Sequence, residues 1–142
     1  MIFDGDRDLI GPYLRHIANQ VGLRDWYLYH SHEDEPEGIA GRCQLTYGRK
    51  VATISLNKDW MHKAEDDFRQ TCLHELIHCH TEQIIQPLQD IEDVLGKMAH
   101  APLYYATLNG LEHCIDAIAY EWARHLPLPS EWLEAETTPE AA

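Results

Sequence analysis

The stretch TCLHELIHCH, residues 71–80, decides how this chain is interpreted. It lies within residues 66–86, where apolar side chains recur at helical spacing. Two aspartates at the start of that segment suit the N-terminal end of a helix, and Pro87 is expected to end it. The segment is therefore predicted to be a helix. His74 and His78 then lie one turn apart on the same face.

These two histidines, with Glu75 after the first, form an HExxH motif. Both imidazoles can reach one metal ion, and a catalytic zinc site has three protein ligands and one position open to water. Glu75 can act as general base on that water. A chain rich in His and Glu also produces this motif by chance. Its position on a helix with apolar neighbours (Leu76 and Ile77) favours a metal site.

The third ligand is predicted on the last long helix. Glu112 and Asp116 lie one turn apart there, among apolar neighbours. Acidic side chains on a partly buried face are costly unless they are paired or bound to metal. Glu112 is predicted to bind the metal, and Asp116 to accept a hydrogen bond from a ligating imidazole. The alternatives are a solvated acidic stripe, or His113 or His100 as third ligand.

Hydrolysis of an acyl bond also requires a group that stabilises the oxyanion. The side-chain candidates near the start of the third-ligand helix are Tyr104, Tyr105, His100 and His113. Tyr105 is our catalytic candidate among them. Ordinary packing is the alternative for either tyrosine.

Outside the motif, the periodicity predicts an α+β domain. The predicted helices cover residues 7–21, 66–86, 89–98 and a last segment from 103 or 109 to 126, and the predicted strands cover 26–30, 43–47 and 51–56. Gly48 begins a tight connection between the second and third strands. We therefore expect a small antiparallel sheet of about three strands, an N-terminal helix, an active-site helix and a C-terminal third-ligand helix. Residues 1–126 are predicted to be one domain, and residues 127–142 an acidic, flexible tail.

Composition excludes several classes of partner. Asp and Glu number 24 against 11 Lys and Arg, giving a net charge of -13 among 142 residues. This argues against binding to nucleic acid, whose affinity comes from Lys and Arg, and against an anionic membrane surface. No apolar run is long enough to span a bilayer, and the first residues lack the features of a signal peptide. The four cysteines include no CxxC pair, so a cytoplasmic protein with reduced thiols is expected.

Three segments together resemble the gluzincin metallopeptidases, most closely their minimal forms and those encoded by phages. They are VATISLN (51–57), TCLHELIH (71–78) and LEHCID (111–116). The resemblance covers residues 26–125 and implies a zincin-like fold. By residue, it implies Zn²⁺ ligands at His74, His78 and Glu112, a base at Glu75 and a supporting Asp116.

The resemblance also implies a substrate track. In the family, the strand before the active-site helix binds an extended peptide, which corresponds to strand 51–56 here. One departure is Leu111, where the family often has Asn before the ligand Glu. The expected function is a zinc-dependent peptidase acting on a protein or peptide. The alternative is a zinc-binding regulatory or structural phage protein with a vestigial site. Glu75 favours the enzyme, because a structural zinc needs four ligands and no base.

Overall fold

The computed structural model describes residue 3, residues 6–57, residue 59 and residues 64–138. A short 3-10 turn precedes the first helix. The elements are α1 (Ile10–Gln20), β1 (Tyr27–His30), β2 (Gly41–Thr46), β3 (Val51–Leu56), α2 (Glu65–Asp90), α3 (Glu92–Leu95), α4 (Lys97–Ala123) and α5 (Pro129–Thr137). This order confirms the α+β class, with a helix before a three-stranded sheet and the remaining helices after it.

Helix α1 forms where its apolar residues fall on one side. Its buried residues recur every three or four positions: Ile10, Tyr13, Leu14, Ile17 and Ala18. Pro12 lies in the first turn, where its missing N–H has no partner to lose. Gly22 ends the helix at a φ of 84°, and the Leu23 amide donates to the Ala18 carbonyl. The helix predicted over residues 7–21 is thus observed over Ile10–Gln20.

The sheet is mixed, with strand order β1-β3-β2. β2 and β3 form the predicted antiparallel hairpin, but β3 runs parallel to β1. The prediction of an all-antiparallel sheet is therefore wrong for this pair. The chain leaves β1 through residues 31–40, returns along β2, and the hairpin then inserts β3 between the two. Alternation along a strand shows which side chains face the core, such as Ala52 and Ile54, but not which strand is the neighbour.

The central position of β3 contradicts one expectation. Residues 51–54 pair with β1 and residues 51–56 pair with β2. Both edges of strand 51–56 are thus used within the protein, so this strand cannot accept a peptide along its edge. The two edge strands are β1 and β2.

Helices α2 and α4 pack against each other. α2 continues past its predicted end at 86 to Asp90, and α4 begins at Lys97, before its predicted start, and ends at Ala123 rather than at 126. Pro87 lies inside α2 and Pro102 inside α4, and the helix predicted over residues 89–98 is divided among the end of α2, the four-residue α3 and the start of α4. A proline removes one backbone hydrogen bond, and packing between the helices compensates. The His100 ring nitrogen lies 2.7 Å from the Leu88 carbonyl, one residue after Pro87. None of the described helices has both the length and the apolar character needed to cross a bilayer.

The prediction of a flexible tail over residues 127–142 is wrong for Pro129–Thr137, which form α5. The carboxylate of Glu131 accepts a hydrogen bond from the Leu128 amide at 2.8 Å and so caps the helix. Trp132 is buried, and its ring contacts those of Tyr13 and Phe3. Burial of this one aromatic side chain thus holds the segment against the core despite its acidic composition. Residues 139–142 lie outside the described part of the chain.

Candidate metal centre

His74, His78 and Glu112 bring three ligand side chains together between α2 and α4. The two imidazole Nε2 atoms are 3.3 Å apart; Glu112 Oε2 lies 3.3 Å from His74 Nε2, and Oε1 lies 3.2 Å from His78 Nε2. Among the described residues, this is the group of His, Cys, Asp or Glu side chains that could hold a metal ion. Tetrahedral zinc with bonds of about 2.0–2.1 Å places its ligands about 3.3 Å apart. The observed spacing therefore fits zinc.

Asp116 orients the first histidine for this role. Its Oδ1 lies 2.8 Å from Nδ1 of His74, on the side of the ring away from the triad. A proton on Nδ1 donated to this carboxylate leaves the Nε2 lone pair directed at the metal position. Burial lowers the pKa of His78, which favours the neutral imidazole that metal binding requires. Both ligating rings are thus held in the form that a metal needs.

The two histidines considered as alternative third ligands lie elsewhere. His100 is 5% exposed and bonds the Leu88 carbonyl. His113 is exposed and does not join the triad. Of the three candidates, the structure brings only Glu112 to the paired imidazoles.

Glu75 is buried beside the triad, with 6% of its surface exposed. It borders a cavity of about 340 Å³ that is also lined by Ala40, Gly41, Gln70, Thr71, His74 and Asp116. Burial, together with the carboxylates of Glu112 and Glu35, raises the pKa of Glu75 to about 8. A divalent cation in the triad would favour the ionised carboxylate. The arrangement places a proton acceptor next to the metal position and open to the cavity.

The local charge also fits a cation. The carboxylates of Glu112, Glu35 and Asp116 lie close enough to Glu75 to affect its ionisation. Arg42 is the neighbouring cation, and it pairs with Glu35 at 3.3 Å. Among the described residues, this one guanidinium does not balance the four carboxylates, and a bound divalent ion would offset most of the remaining charge.

Tyr105 is not brought to the cavity beside Glu75. It is 61% exposed, its ring packs edge-on against Tyr104, and it borders a different cavity together with His100 and Lys97. Its predicted role as oxyanion donor therefore has no support from the geometry.

Two further polar side chains line the cavity beside Glu75, Gln70 and Thr71, which the sequence analysis did not identify. They precede His74 by four and three residues, so the helical spacing that identified the two histidines also places these residues on that face. This spacing was a usable signal in the sequence.

Gly41, at the start of β2, provides the space that Glu75 occupies. A Cβ atom at this position would lie 3.0 Å from both Cγ and Oε1 of Glu75, and 3.1 Å from Cδ2 of Leu56. Gly41 is not among the glycines with positive φ, so its backbone conformation does not itself require glycine. The close approach to the carboxylate is what requires it.

Replacing Gly41 with Ala is expected to lower the free energy of unfolding by about 1–3 kcal/mol, the scale of overpacking a filled site. In a Glu75→Ala background the same replacement should cost clearly less, because two of the three close contacts are gone. Denaturant unfolding of the four proteins gives the coupling energy. Gly110→Ala is the control; its new Cβ meets no atom within 4 Å, so this replacement should not destabilise the helix. An equal cost in both backgrounds would show that Leu56 alone excludes the side chain.

Comparison of the chain with models of known families, with characterised proteins and with solved structures gives no match. The resemblance to the gluzincins thus stays a prediction. The assignment of the centre depends on the geometry of His74, His78, Glu112 and Asp116.

Proposed function

We propose that this chain is a zinc-dependent peptidase that hydrolyses peptide bonds in a protein or peptide. The observation that carries the proposal is the meeting of three ligand side chains, with N–N and N–O distances of 3.2–3.3 Å, beside a buried carboxylate that has no hydrogen-bond or ion-pair partner among the described residues. Three ligands leave one coordination position for water or substrate, whereas a structural zinc has four protein ligands. Within the part of the chain that the structure describes, Glu75 has no hydrogen-bond or ion-pair partner, which suits a group that acts on a bound molecule.

Each residue of the centre has a distinct task in this proposal. Zinc, when bound, supplies Lewis acidity to the scissile carbonyl and to the attacking water. Glu75 accepts the proton of that water and returns it to the leaving amine. Asp116 keeps the His74 ring oriented throughout. Gln70 and Thr71 are positioned to donate hydrogen bonds to the substrate in the cavity.

An extended substrate would bind along β2 rather than β3. The Asn57 amide donates to the Ala40 carbonyl, and hydrogen-bonded pairs alternate along an antiparallel ladder from that point. The backbone groups of Gly41, Cys43 and Leu45 therefore point away from β3, toward the outer edge of β2. Gly41 borders the metal cavity. A peptide added to this edge would lead directly to the metal position.

The proposal also specifies a compartment. All four cysteines are free in the structure. Unpaired thiols are typical of a reducing cytosol, and we place the enzyme there.

The test is hydrolysis of a diverse peptide library by the purified chain, read as new N-termini by mass spectrometry. Protein stripped with a chelator should be inactive, and adding one equivalent of zinc should restore cleavage. Cleavage that continues in excess chelator would contradict a metal mechanism. A zinc-loaded protein that cleaves nothing in the library, nor any protein in a cytosolic extract, would favour the alternative of a zinc-binding protein without turnover.

A further inference from the structure

The metal cavity beside Glu75 is lined by charge of one sign. Of the described residues that border it, Glu75 and Asp116 are acidic and none is Lys or Arg. Glu75 is buried, and it forms no hydrogen bond or ion pair with another described residue. Asp116 directs Oδ1 at Nδ1 of His74, but 66% of its side chain is exposed and a carboxylate can accept several hydrogen bonds. A group that enters this cavity therefore meets two carboxylates.

This excess of negative charge is not common to every cavity of the protein. A larger cavity, of about 630 Å³, is bordered by Asp25 and Glu82 but also by Arg49 and Lys50. Lys50 forms an ion pair with Asp25. The charges around that cavity nearly cancel, so they select no ligand by its sign. The excess at the metal cavity is thus a local feature and not only a result of the net charge of -13.

A bound zinc ion would not remove the excess completely. Glu75 lies within electrostatic reach of three other carboxylates, those of Glu35, Glu112 and Asp116, and of one cation, Arg42. Arg42 offsets one negative charge and a divalent ion offsets two, so one remains when all four carboxylates are ionised. Because the cavity holds little water, this charge acts on a bound group more strongly than it would in bulk solvent. The zinc-loaded centre would therefore still favour a positively charged group.

Helix α2 adds a further carboxylate near the cavity. Asp67 precedes Gln70 and Thr71 by three and four residues, so it lies one turn away on the face that lines the cavity. Asp67 is exposed, and it pairs with no cation in the part of the chain that the structure describes. Arg69, close by on the same helix, is buried and already paired with Asp66. A cation that approaches along this face is attracted before it reaches the cavity.

We infer that the metal cavity binds a positively charged group of the substrate, either a Lys or Arg side chain near the scissile bond or a free N-terminal amine. The inference rests on the proposed function, since it names the substrate class of the same centre. Asp116 and the Gln70 carbonyl oxygen would accept hydrogen bonds from the cation, and those to a charged partner are the stronger kind. The volume of about 340 Å³ is near the lower end for small-ligand sites, which suits a single side chain.

The test is the binding of short Ala-Gly peptides that differ at one central residue. Lys is compared with uncharged norleucine, Arg with uncharged citrulline, and each peptide is made with a free and with an acetylated N-terminus. Fluorescence anisotropy with zinc-loaded wild type gives the affinities, and any peptide found cleaved is compared by kcat/KM instead. The charged peptides should bind about 10-fold more tightly than their uncharged counterparts. This preference should shrink between about 0.05 and 0.5 M salt, because the carboxylates are then screened.

Asp67→Lys should reduce the preference for the charged peptides by about 3- to 10-fold, because it reverses a charge beside the cavity. Asp93→Lys is the matched control. Asp93 is also exposed and also lies in the first turn of a helix, but on α3, away from the cavity. Both variants change the net charge equally, so only the first should alter the preference. Zinc content and circular dichroism should be unchanged in both.

The two forms of the N-terminus separate the two sources of the cation. A preference that survives acetylation assigns the cavity to a Lys or Arg side chain, and one that acetylation abolishes assigns it to the terminal amine. Equal affinity for charged and uncharged peptides with either terminus would overturn the inference, as would equal losses in the Asp67 and Asp93 variants. Charged peptides that bind but are never cleaved would contradict the peptidase and leave the cation preference standing. Cleavage that is indifferent to charge would do the reverse.

Discussion

His74→Ala and His78→Ala proteins are each expected to purify with almost no zinc, while the wild type carries about one zinc per chain. Either change leaves two ligands where the geometry supplies three at 3.2–3.3 Å. Glu112→Ala should weaken zinc binding by at least about 10- to 100-fold, and Asp116→Ala by less, because Asp116 acts only through the His74 ring. Elemental analysis and competition with a chromogenic chelator measure these effects.

The control for the ligand series is His113→Ala. His113 is next to Glu112 on α4 but exposed and outside the triad, so its removal should leave zinc affinity unchanged. Full zinc content in either the His74 or the His78 variant would refute the centre. A large loss in the His113 variant, with none in the Glu112 variant, would replace the carboxylate ligand with a third imidazole.

Glu75→Gln is expected to keep zinc and fold but to lower peptide hydrolysis by about 100-fold or more, the scale of general-base catalysis. Gln matches Glu in size, so it should fit the space that Gly41 leaves, and only the basic oxygen is lost. The measurement is the rate of cleavage of the best library peptide by zinc-loaded protein, with zinc content determined on the same sample. Glu82→Gln, two turns further along α2, should retain the full rate.

The outcomes for Glu75→Gln separate three mechanisms. Equal rates for the variant and the wild type would show that Glu75 is not the base. Loss of zinc from the variant would show that Glu75 holds the metal rather than the proton. If the wild type and the variant both bind zinc and neither cleaves any peptide, the protein would be a zinc-binding protein without peptidase activity.

The local parts of the centre could be predicted because helical spacing alone determines them. His74 and His78 share a face through four-residue spacing, and so do Glu112 and Asp116. Their meeting across two helices was predicted because acidic side chains on an apolar helix require a partner. The strand order could not be predicted in this way, since periodicity along β3 indicates its buried face but not its neighbours. The fit of Gly41 around Glu75 likewise depends on that strand order.

Other differences came from tertiary contacts that outweigh local preference. Pro87 was expected to end its helix, yet α2 continues through it, as α4 continues through Pro102, because the two helices pack together. The acidic composition after residue 126 suggested a flexible tail, but Trp132 anchors α5 to the core. Tyr105 was chosen because it is close in sequence to Glu112, but it is exposed on α4 and borders a different cavity from Glu75.

The division of the centre between helices and sheet has a consequence for how it opens. His74, His78, Glu112 and Asp116 all belong to α2 and α4, whereas the wall that encloses Glu75 comes from the edge strand β2. Proteins open in cooperative units, and an edge strand is often among the least protected against hydrogen exchange. If β2 frayed, the Glu75 carboxylate would become exposed to solvent, while α2 and α4 would still hold the ligands of a bound ion in place. Metal retention and catalytic competence would then fail at different temperatures, with catalysis lost first.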